Sequence, residues 1–292
     1  MIYLFGFFVS LSFTFLFWKV GERYKIYDQA NDDPLKIHTK SVSCLGGLAM
    51  FLAITVTYLL DYRLLPIIVA GLFIFLLGFI DDLRWRDKAR IKKIYKFAYL
   101  IIFSLISTKI LLMAGFSINF IPIFVVIEIL TFASIFILIN AINYQDGMDG
   151  LAGGVIIISL IGFIVLGDIL IAPTLIAIIL GFLVFNFPPA KIFMGDSGAY
   201  FLGFVLAVLT MIYLKPYDFF GLLGIIFILG LPFFDGVYTN LRRLTKGNSI
   251  FSGDREHFFD RLLQKGYSVK KVLFICYSIQ AVFVIIGLLI LK

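Results

Sequence analysis

Two adjacent carboxylates, Asp81 and Asp82, end a long apolar stretch in the segment Gly78-Phe79-Ile80-Asp81-Asp82-Leu83. Burying two like charges side by side is unfavourable unless a cation or a basic group compensates them. The pair is therefore a candidate for catalysis or for holding a cation. The alternative is a solvated helix end beside the basic run at 84–88.

A second segment places polar side chains at every third position, namely Asn140, Asn143, Asp146 and Asp149. On a helix this spacing makes one stripe, although Gly147 and Gly150 predict that the helix breaks nearby. Converging amide and carboxylate oxygens suit a hard cation such as Mg²⁺, and the asparagines could equally bind a base or sugar hydroxyls. A capped loop between helices is the alternative.

A third segment, 185–198, contains two prolines that end one helix and a lone acid, Asp196, that opens the next. Gly195 and Gly198 flank this acid, so we expect a phosphate to approach the backbone there. The alternative is a helix N-cap by Asp196 or Ser197, and capping does not exclude metal binding.

The fourth segment, 254–266, is predicted to be a short amphipathic helix that stops at Gly266. Asp254, His257 and Arg261 share one face. The other side carries the apolar residues Phe258, Phe259, Leu262 and Leu263. We expect that side to lie at the membrane boundary, and the alternative is a surface helix whose charges are merely solvated.

Composition indicates the elements that must position these segments. Of 292 residues, 61% are hydrophobic and 15% charged, where a soluble domain carries about a quarter charged residues. This excludes soluble, disordered and disulfide-scaffold classes and predicts an all-α, polytopic membrane protein forming one domain over 1–292. Ten stretches qualify as spanning helices: 2–20, 44–60, 64–80, 94–114, 118–139, 150–167, 169–187, 198–214, 218–237 and 272–291.

The basic residues predict the orientation. Of 25 Lys and Arg, 21 lie in or beside alternate loops, which we assign to the cytoplasm, so that both termini lie outside. The predicted cytoplasmic loops are 21–43, 81–93, 140–149, 188–197 and 238–271. Fourteen of the 18 acids lie in or next to these loops, which favours interfacial chemistry over a transporter. The net charge of +7 follows this topology and does not indicate nucleic acid. Asp235, near the end of the ninth stretch, is interpreted as a topological residue.

The four segments, in this order, resemble the polyprenyl-phosphate N-acetylhexosamine-1-phosphate transferases, which include the undecaprenyl-phosphate GlcNAc-1-phosphate transferases and the phospho-MurNAc-pentapeptide translocase. The matching stretches are GFIDDL at 78–83, NAINYQDGMDGLAGG at 140–154 and FMGDSG at 193–198. The resemblance implies a Mg²⁺-dependent enzyme, with Mn²⁺ as an alternative ion. Its partners would be a UDP-sugar, a polyprenyl phosphate and the membrane, and the oligomeric state, monomer or homodimer, stays open.

The resemblance also implies roles for individual residues. Those assigned to catalysis are Asp81, Asp82, Asp146 and Asp149. Those assigned to the metal are Asp196 and Asp146. Those assigned to substrate binding are Asn140, Asn143 and His257. Apart from the resemblance, the basic residues Lys40, Arg255 and Arg261 are candidates for holding the substrate phosphates because of their charge.

The implied reaction transfers a sugar-1-phosphate from the UDP-sugar to polyprenyl phosphate at the cytoplasmic face of the plasma membrane, beginning a cell-envelope glycan. Where many members carry H-x-H-H, this chain has His257-Phe258-Phe259-Asp260, which leaves the donor open and keeps a 6-deoxy-N-acetylhexosamine as an alternative. Direct attack by the lipid phosphate is favoured over a covalent aspartyl intermediate. A transporter is the competing class.

Overall fold

The computed structural model describes residues 1–28, 41–85, 93–247 and 254–292, which are mostly helical. The α-helices in this part of the chain are α1 Ile2–Tyr24, α2 Gly46–Tyr58, α3 Leu65–Ile80, α4 Lys93–Met113, α5 Phe124–Gln145, α6 Leu151–Val165, α7 Ile171–Asn186, α8 Gly195–Tyr213, α9 Phe219–Thr245, α10 Phe258–Gln264 and α11 Val269–Ile290. One π-helical turn, Asp81–Trp85, continues α3. Two short strands, β1 Tyr27–Asp28 and β2 Val42–Ser43, pair antiparallel.

Every predicted apolar stretch coincides with a helix, which confirms the all-α, polytopic membrane class. Within the described residues, seven helices are long and apolar enough to cross a membrane, whereas α2, α6 and α7 are shorter. The count of ten spans and the outer location of both termini therefore stay predictions. Two helices run further than expected: α5 continues to Gln145 and α9 to Thr245.

Helix α8 forms the centre of the bundle. Every residue from Ser197 to Met211 is buried, as expected for a helix that is apolar on all sides. The backbone of α5 lies so close that a Cβ on Gly203 would stand 2.6 Å from the Leu138 carbonyl oxygen. Helices α2, α3 and α5 all pack on α8, so the ends of several helices meet at its N-terminus.

Helix α9 is broken in its middle. Gly230 adopts φ 41° and ψ −118°, and Pro232 follows it. Gln280 of α11 repairs the break: its Oε1 accepts from the Leu231 N–H at 2.7 Å, and its Nε2 donates to the Ile228 carbonyl at 2.9 Å. Backbone N–H and C=O groups that lose their helical hydrogen bonds inside a membrane must be hydrogen-bonded to other protein groups. The second half of α9 is thereby held at a fixed angle.

Candidate active site at the N-terminus of the central helix

The N-terminus of α8 is capped by a carboxylate from another helix. Asp82 accepts hydrogen bonds from the Asp196 N–H at 2.9 Å, the Ser197 N–H at 3.1 Å and the Ser197 hydroxyl at 2.6 Å. The alternative interpretation, an N-cap by Asp196 or Ser197, is therefore wrong, because neither side chain caps its own helix. Gly195, at φ +71°, makes room for this contact, since a Cβ there would lie 2.6 Å from Asp82 Oδ2.

Asp146 contacts the same helix end through the backbone N–H of Gly195. Burial raises the pKa of Asp146 well above its usual value, and the nearby carboxylates of Asp196, Asp82 and Asp149 raise it further. The first three N–H groups of α8 are thus bonded to carboxylates. The backbone donors that a phosphate was expected to approach are therefore bonded to Asp82 and Asp146, which lie just beyond the ends of α3 and α5.

Four side chains from four elements meet beside this cap. Lys96 of α4 contacts Asp81 Oδ2, and its Nζ lies 2.9 Å from Asp196 Oδ2. Asn143 of α5 donates to Asp196 Oδ1 at 2.7 Å. The carboxyl groups of Asp81 and Asp196 are themselves in hydrogen-bonding contact. Asp81 is buried, while the side chain of Asp196 keeps 29% of its surface exposed and can meet a ligand.

Lys96 was missed as a site residue. The sequence interpretation counted it only as a charge that marks the cytoplasmic side. The available signal was a lysine inside an apolar stretch, close in sequence to an acidic pair that needs compensation.

The residues present fit a hard divalent cation. The hydrogen bond between the two carboxyl groups requires a proton on one of them, and the Lys96 ammonium, which contacts both, offsets the negative charge of the other. Oxygen ligands of this kind suit Mg²⁺. No three His, Cys, Asp or Glu side chains within the described ranges stand at ligand spacing, so the fit rests on Asp81 and Asp196.

The polar stripe of the second segment divides where α5 ends. Asn143 and Asp146 reach α8, but Asn140 donates back to the Phe136 carbonyl of its own helix at 2.7 Å. Asp149 lies beyond the helix, where its Oδ2 accepts from the Ala190 N–H at 2.9 Å. The stripe assumed continuous helical geometry, and α5 stops at Gln145, so Asp149 instead holds the loop that precedes α8.

A second group of polar residues lies where α9 meets the last loop. Asp235 Oδ2 lies 3.0 Å from His257 Nδ1, and Asp235 Oδ1 accepts from the Phe258 N–H at 2.9 Å. Gln145, the last residue of α5, donates to Asp235 Oδ2 at 3.0 Å. His257 and Asp235 are 7% and 6% exposed. Asp235 therefore joins α9 to the last loop and to the end of α5, contacts that its position along the chain did not indicate.

Two arginines of α9 hold the start of the last loop. Arg242 Nη2 donates to both carboxylate oxygens of Asp254 at 2.8 Å, and Arg243 Nε donates to one at 2.9 Å. Burial alone would raise the pKa of Asp254, but the hydrogen bonds from Arg243 and Arg242 outweigh it and lower the pKa to about 2. The segment before α10 is thus tied to α9.

Arg255 and Arg261, which were also predicted to bind substrate, have partners in this region. Arg261 donates to the Glu256 carbonyl at 3.0 Å and to the Tyr238 hydroxyl at 3.0 Å. Arg255 Nε lies 3.4 Å from Asp260 Oδ1. Lys40 lies outside the described residues. The contacts described for Arg255 and Arg261 are therefore within the last loop and with α9.

Part of the predicted amphipathic helix differs from expectation. It begins at Phe258, because residues 254–257 run as an irregular segment. Phe259 does not face the membrane boundary: it is 3% exposed and packs with Met148 and Leu151. A Cβ on Gly147 would lie 2.5 Å from its ring. This packing joins the last loop to the second segment.

Comparison with known proteins agrees with this arrangement. Residues 64–214 match the family described as Glycosyl transferase family 4. The chain belongs to this family. The matched residues include the Asp81–Asp82 pair, Lys96, the 140–149 segment and Asp196. The last loop lies beyond the match.

Named relatives extend the similarity to most of the chain. A probable undecaprenyl-phosphate N-acetylglucosaminyl 1-phosphate transferase of Bacillus subtilis (strain 168) is 33% identical over 95% of this chain and 82% of its own length. An undecaprenyl-phosphate alpha-N-acetylglucosaminyl 1-phosphate transferase of Thermotoga maritima is 33% identical, covering 88% and 79%. A phospho-N-acetylmuramoyl-pentapeptide-transferase of Wolbachia pipientis wMel is 33% identical, covering 78% and 77%. The resemblance inferred from the motifs is confirmed.

Proposed function

We propose that this family member transfers a sugar-1-phosphate from a UDP-N-acetylhexosamine to polyprenyl phosphate, releasing UMP. The reaction would take place at the cytoplasmic face of the plasma membrane and begin a cell-envelope glycan. The observation that carries the proposal is the contact of Lys96 with both Asp81 and Asp196 at the N-terminus of α8. The relatives' names supply the substrate class.

The proposed chemistry is phosphoryl transfer. An oxygen of the lipid phosphate bonds to the β-phosphorus of the donor, while the bond from that phosphorus to the bridging oxygen breaks. UMP leaves with the bridging oxygen and its electron pair. Such a transfer asks a protein chiefly for alignment and for neutralisation of charge. The acceptor needs little help from a base, because a phosphate monoester has a second pKa near 6.

The described side chains would divide these tasks. Lys96 supplies a positive charge next to the reacting phosphates, and Asn143 orients Asp196 through its 2.7 Å hydrogen bond. Asp196 and Asp81 would hold Mg²⁺, with Asp146 as the further predicted ligand. When bound, the ion neutralises diphosphate charge and assists the departure of UMP. The lipid tail would lie between helices, with its phosphate at this end of the bundle.

The contacts favour direct attack over a covalent aspartyl intermediate. Both oxygens of Asp82 accept hydrogen bonds from the end of α8, and Asp149 accepts one from Ala190. Hydrogen bonds of this kind stabilise a carboxylate and reduce its nucleophilicity. Asp81 contacts Lys96 and so is suited to orienting the acceptor or removing a residual proton. Stereochemical inversion at the β-phosphorus would support direct attack, and retention would support the covalent route.

The decisive experiment is an assay of the purified protein with undecaprenyl phosphate and a panel of UDP-sugars. Release of UMP that depends on lipid, together with a lipid-diphospho-sugar product, is the expected result. Mg²⁺, Mn²⁺ and a chelator form separate arms. The panel includes a 6-deoxy-N-acetylhexosamine, although the burial of Phe259 removes part of the reason for that alternative. No turnover with any donor would refute the proposal.

A further inference from the structure

We propose that Asp235 is a positioning residue that keeps the Nδ1 atom of His257 protonated, so that Nε2 is the ring atom presented to the sugar-nucleotide donor. The inference rests on the proposed function for the identity of that donor. It concerns a residue outside the group at the N-terminus of α8, which we call the α8 cluster (Asp81, Lys96, Asn143 and Asp196), and outside the stretch that matches the family.

The geometry around Asp235 determines which ring nitrogen carries the hydrogen. The Asp235 carboxylate already receives hydrogen bonds from the Gln145 side chain and the Phe258 backbone. An ionised carboxylate can only accept, so the 3.0 Å contact to His257 Nδ1 requires a hydrogen on that nitrogen. Thr239 Oγ1, 3.3 Å from Nδ1, can accept the same hydrogen. Nε2 is then the lone-pair nitrogen of the neutral ring.

Packing fixes the ring as firmly as the hydrogen bond does. The ring of Phe259 stacks parallel to the imidazole at 6.0 Å, and the ring of Tyr144 lies 5.1 Å away. The ring therefore cannot turn over without displacing aromatic neighbours. Tyr144 precedes Gln145 and follows Asn143, which bonds to Asp196, so His257 lies beside the end of α5 that also reaches the α8 cluster. The histidine and the proposed phosphate site therefore lie at the same end of α5, where one bound donor can contact both.

Asp235 also holds the start of α10, and the test must separate this role from the orientation of the His257 ring. Its Oδ1 also fixes the Phe258 N–H at the start of α10. Asp235→Asn can keep that bond, because an amide oxygen still accepts. The amide nitrogen would then face His257 and donate to Nδ1, which moves the ring hydrogen to Nε2. The Gln145 amide, which donates to the same position in the parent, would turn over so that its oxygen accepts. The variant thus changes the tautomer while leaving the loop attached.

The first readout is spectroscopic. Protein labelled with ¹⁵N-histidine is examined at about pH 8, where an ordinary imidazole is neutral. The resonances lost in His257→Ala belong to His257. We expect a protonated Nδ1 and an unprotonated Nε2 in the parent, and the reverse in Asp235→Asn. A parent in which Nε2 carries the hydrogen would overturn the inference, and this measurement needs no variant of Asp235.

The second readout is kinetic. Asp235→Asn should raise the donor KM by about tenfold or more, the usual effect of removing a residue that orients a functional histidine. In a His257→Ala background the same substitution should change KM by less than about twofold, because it acts through the ring. An undiminished effect in that background would show that Asp235 acts on the loop alone.

Asp168→Asn is the matched control. Asp168 is as buried as Asp235, and its carboxylate accepts two backbone N–H groups at the start of α7. The 15 residues of α6 separate it from Gly150, about 22 Å at 1.5 Å per residue. This variant should leave the histidine spectrum and the donor KM unchanged. If the protein used no UDP-sugar at all, the proposed function would fail, yet the spectra would still test the tautomer.

Discussion

Asp82→Asn should destabilise the protein, because both oxygens of Asp82 cap α8. An asparagine has one acceptor oxygen. In its best orientation it keeps the two bonds from Ser197 and turns its amide toward the Asp196 N–H, which loses its 2.9 Å partner. A hydrogen bond to a charged group contributes about 1.5–3 kcal/mol, and the remaining two bonds weaken when the charge is removed. We expect a total loss of about 2–4 kcal/mol.

Unfolding can be followed with a thiol-reactive dye, because Cys44 and Cys276 are buried thiols that are not joined in a disulfide. For a chain of 292 residues, the expected loss corresponds to a fall in Tm of roughly 3–7 °C. A Tm within about 2 °C of the parent would refute the assignment of Asp82 as the cap of α8.

Asp196→Asn is the control for the Asp82 variant, because the neighbouring Asp196 carboxylate contacts Lys96 and does not cap α8. Its side chain is 29% exposed and can be rehydrated, so the Tm should change little. Transfer should fall by orders of magnitude, because this substitution removes charge where the diphosphate would bind. An Asp196→Asn protein within a few-fold of the parent at saturating Mg²⁺ would remove this residue from the proposed metal site.

Four further outcomes test the site and its orientation. Lys96→Met keeps the apolar stem and removes the charge, so transfer should fall about a hundredfold; activity within a few-fold of the parent would argue against its role. His257→Ala should raise the donor KM or lower kcat without changing the Mg²⁺ requirement, and a change in that requirement alone would contradict donor contact. The pKa of Asp254 is lowered, so its ionised form stabilises the fold at every pH above the ordinary pKa of an aspartate. That stabilisation is lost as the pH falls toward about 2. Asp254→Asn should remove this stabilisation at neutral pH and speed proteolysis within 238–271. An unchanged rate of cleavage would disprove the prediction. Cysteines placed in 81–93 or 238–271 should react only after the inner face is opened, and labelling from outside in intact cells would reverse the topology.

Much of the bundle was predictable because helices that span a membrane appear in a sequence as continuous apolar stretches. The loop assignment also placed Asp81, Asp82, Asn143 and Asp196 on one side of the membrane, and the resemblance implied that they share a site. Helix ends were harder to place. The three-residue spacing predicted that Asn143 and Asp149 share one helix face. Because α5 ends at Gln145, Asp149 lies beyond the helix and contacts Ala190 instead.

The remaining roles depend on contacts between residues distant in sequence. Asp82 and Ser197 are separated by 115 positions, and no local pattern shows that a carboxylate of one helix caps another. Asp235 and Lys96 were interpreted from their position along the chain, because their partners Gln145 and Asp196 become neighbours only after the helices pack. Which of these residues contact one another is decided by the direction of their side chains in the packed bundle.

The break in α9 has a consequence for the order in which the protein is made. The Leu231 N–H finds its acceptor on Gln280, 49 positions later in the chain. When α9 first enters the bilayer during synthesis, this partner has not been translated, and an unpaired backbone group in hydrocarbon costs several kcal/mol. The second half of α9, with Asp235 and its arginines, can therefore settle only after α11 has been inserted. A ribosome that stalls before α11 would leave a membrane-bound chain whose α8 cluster can form but whose histidine has no fixed support.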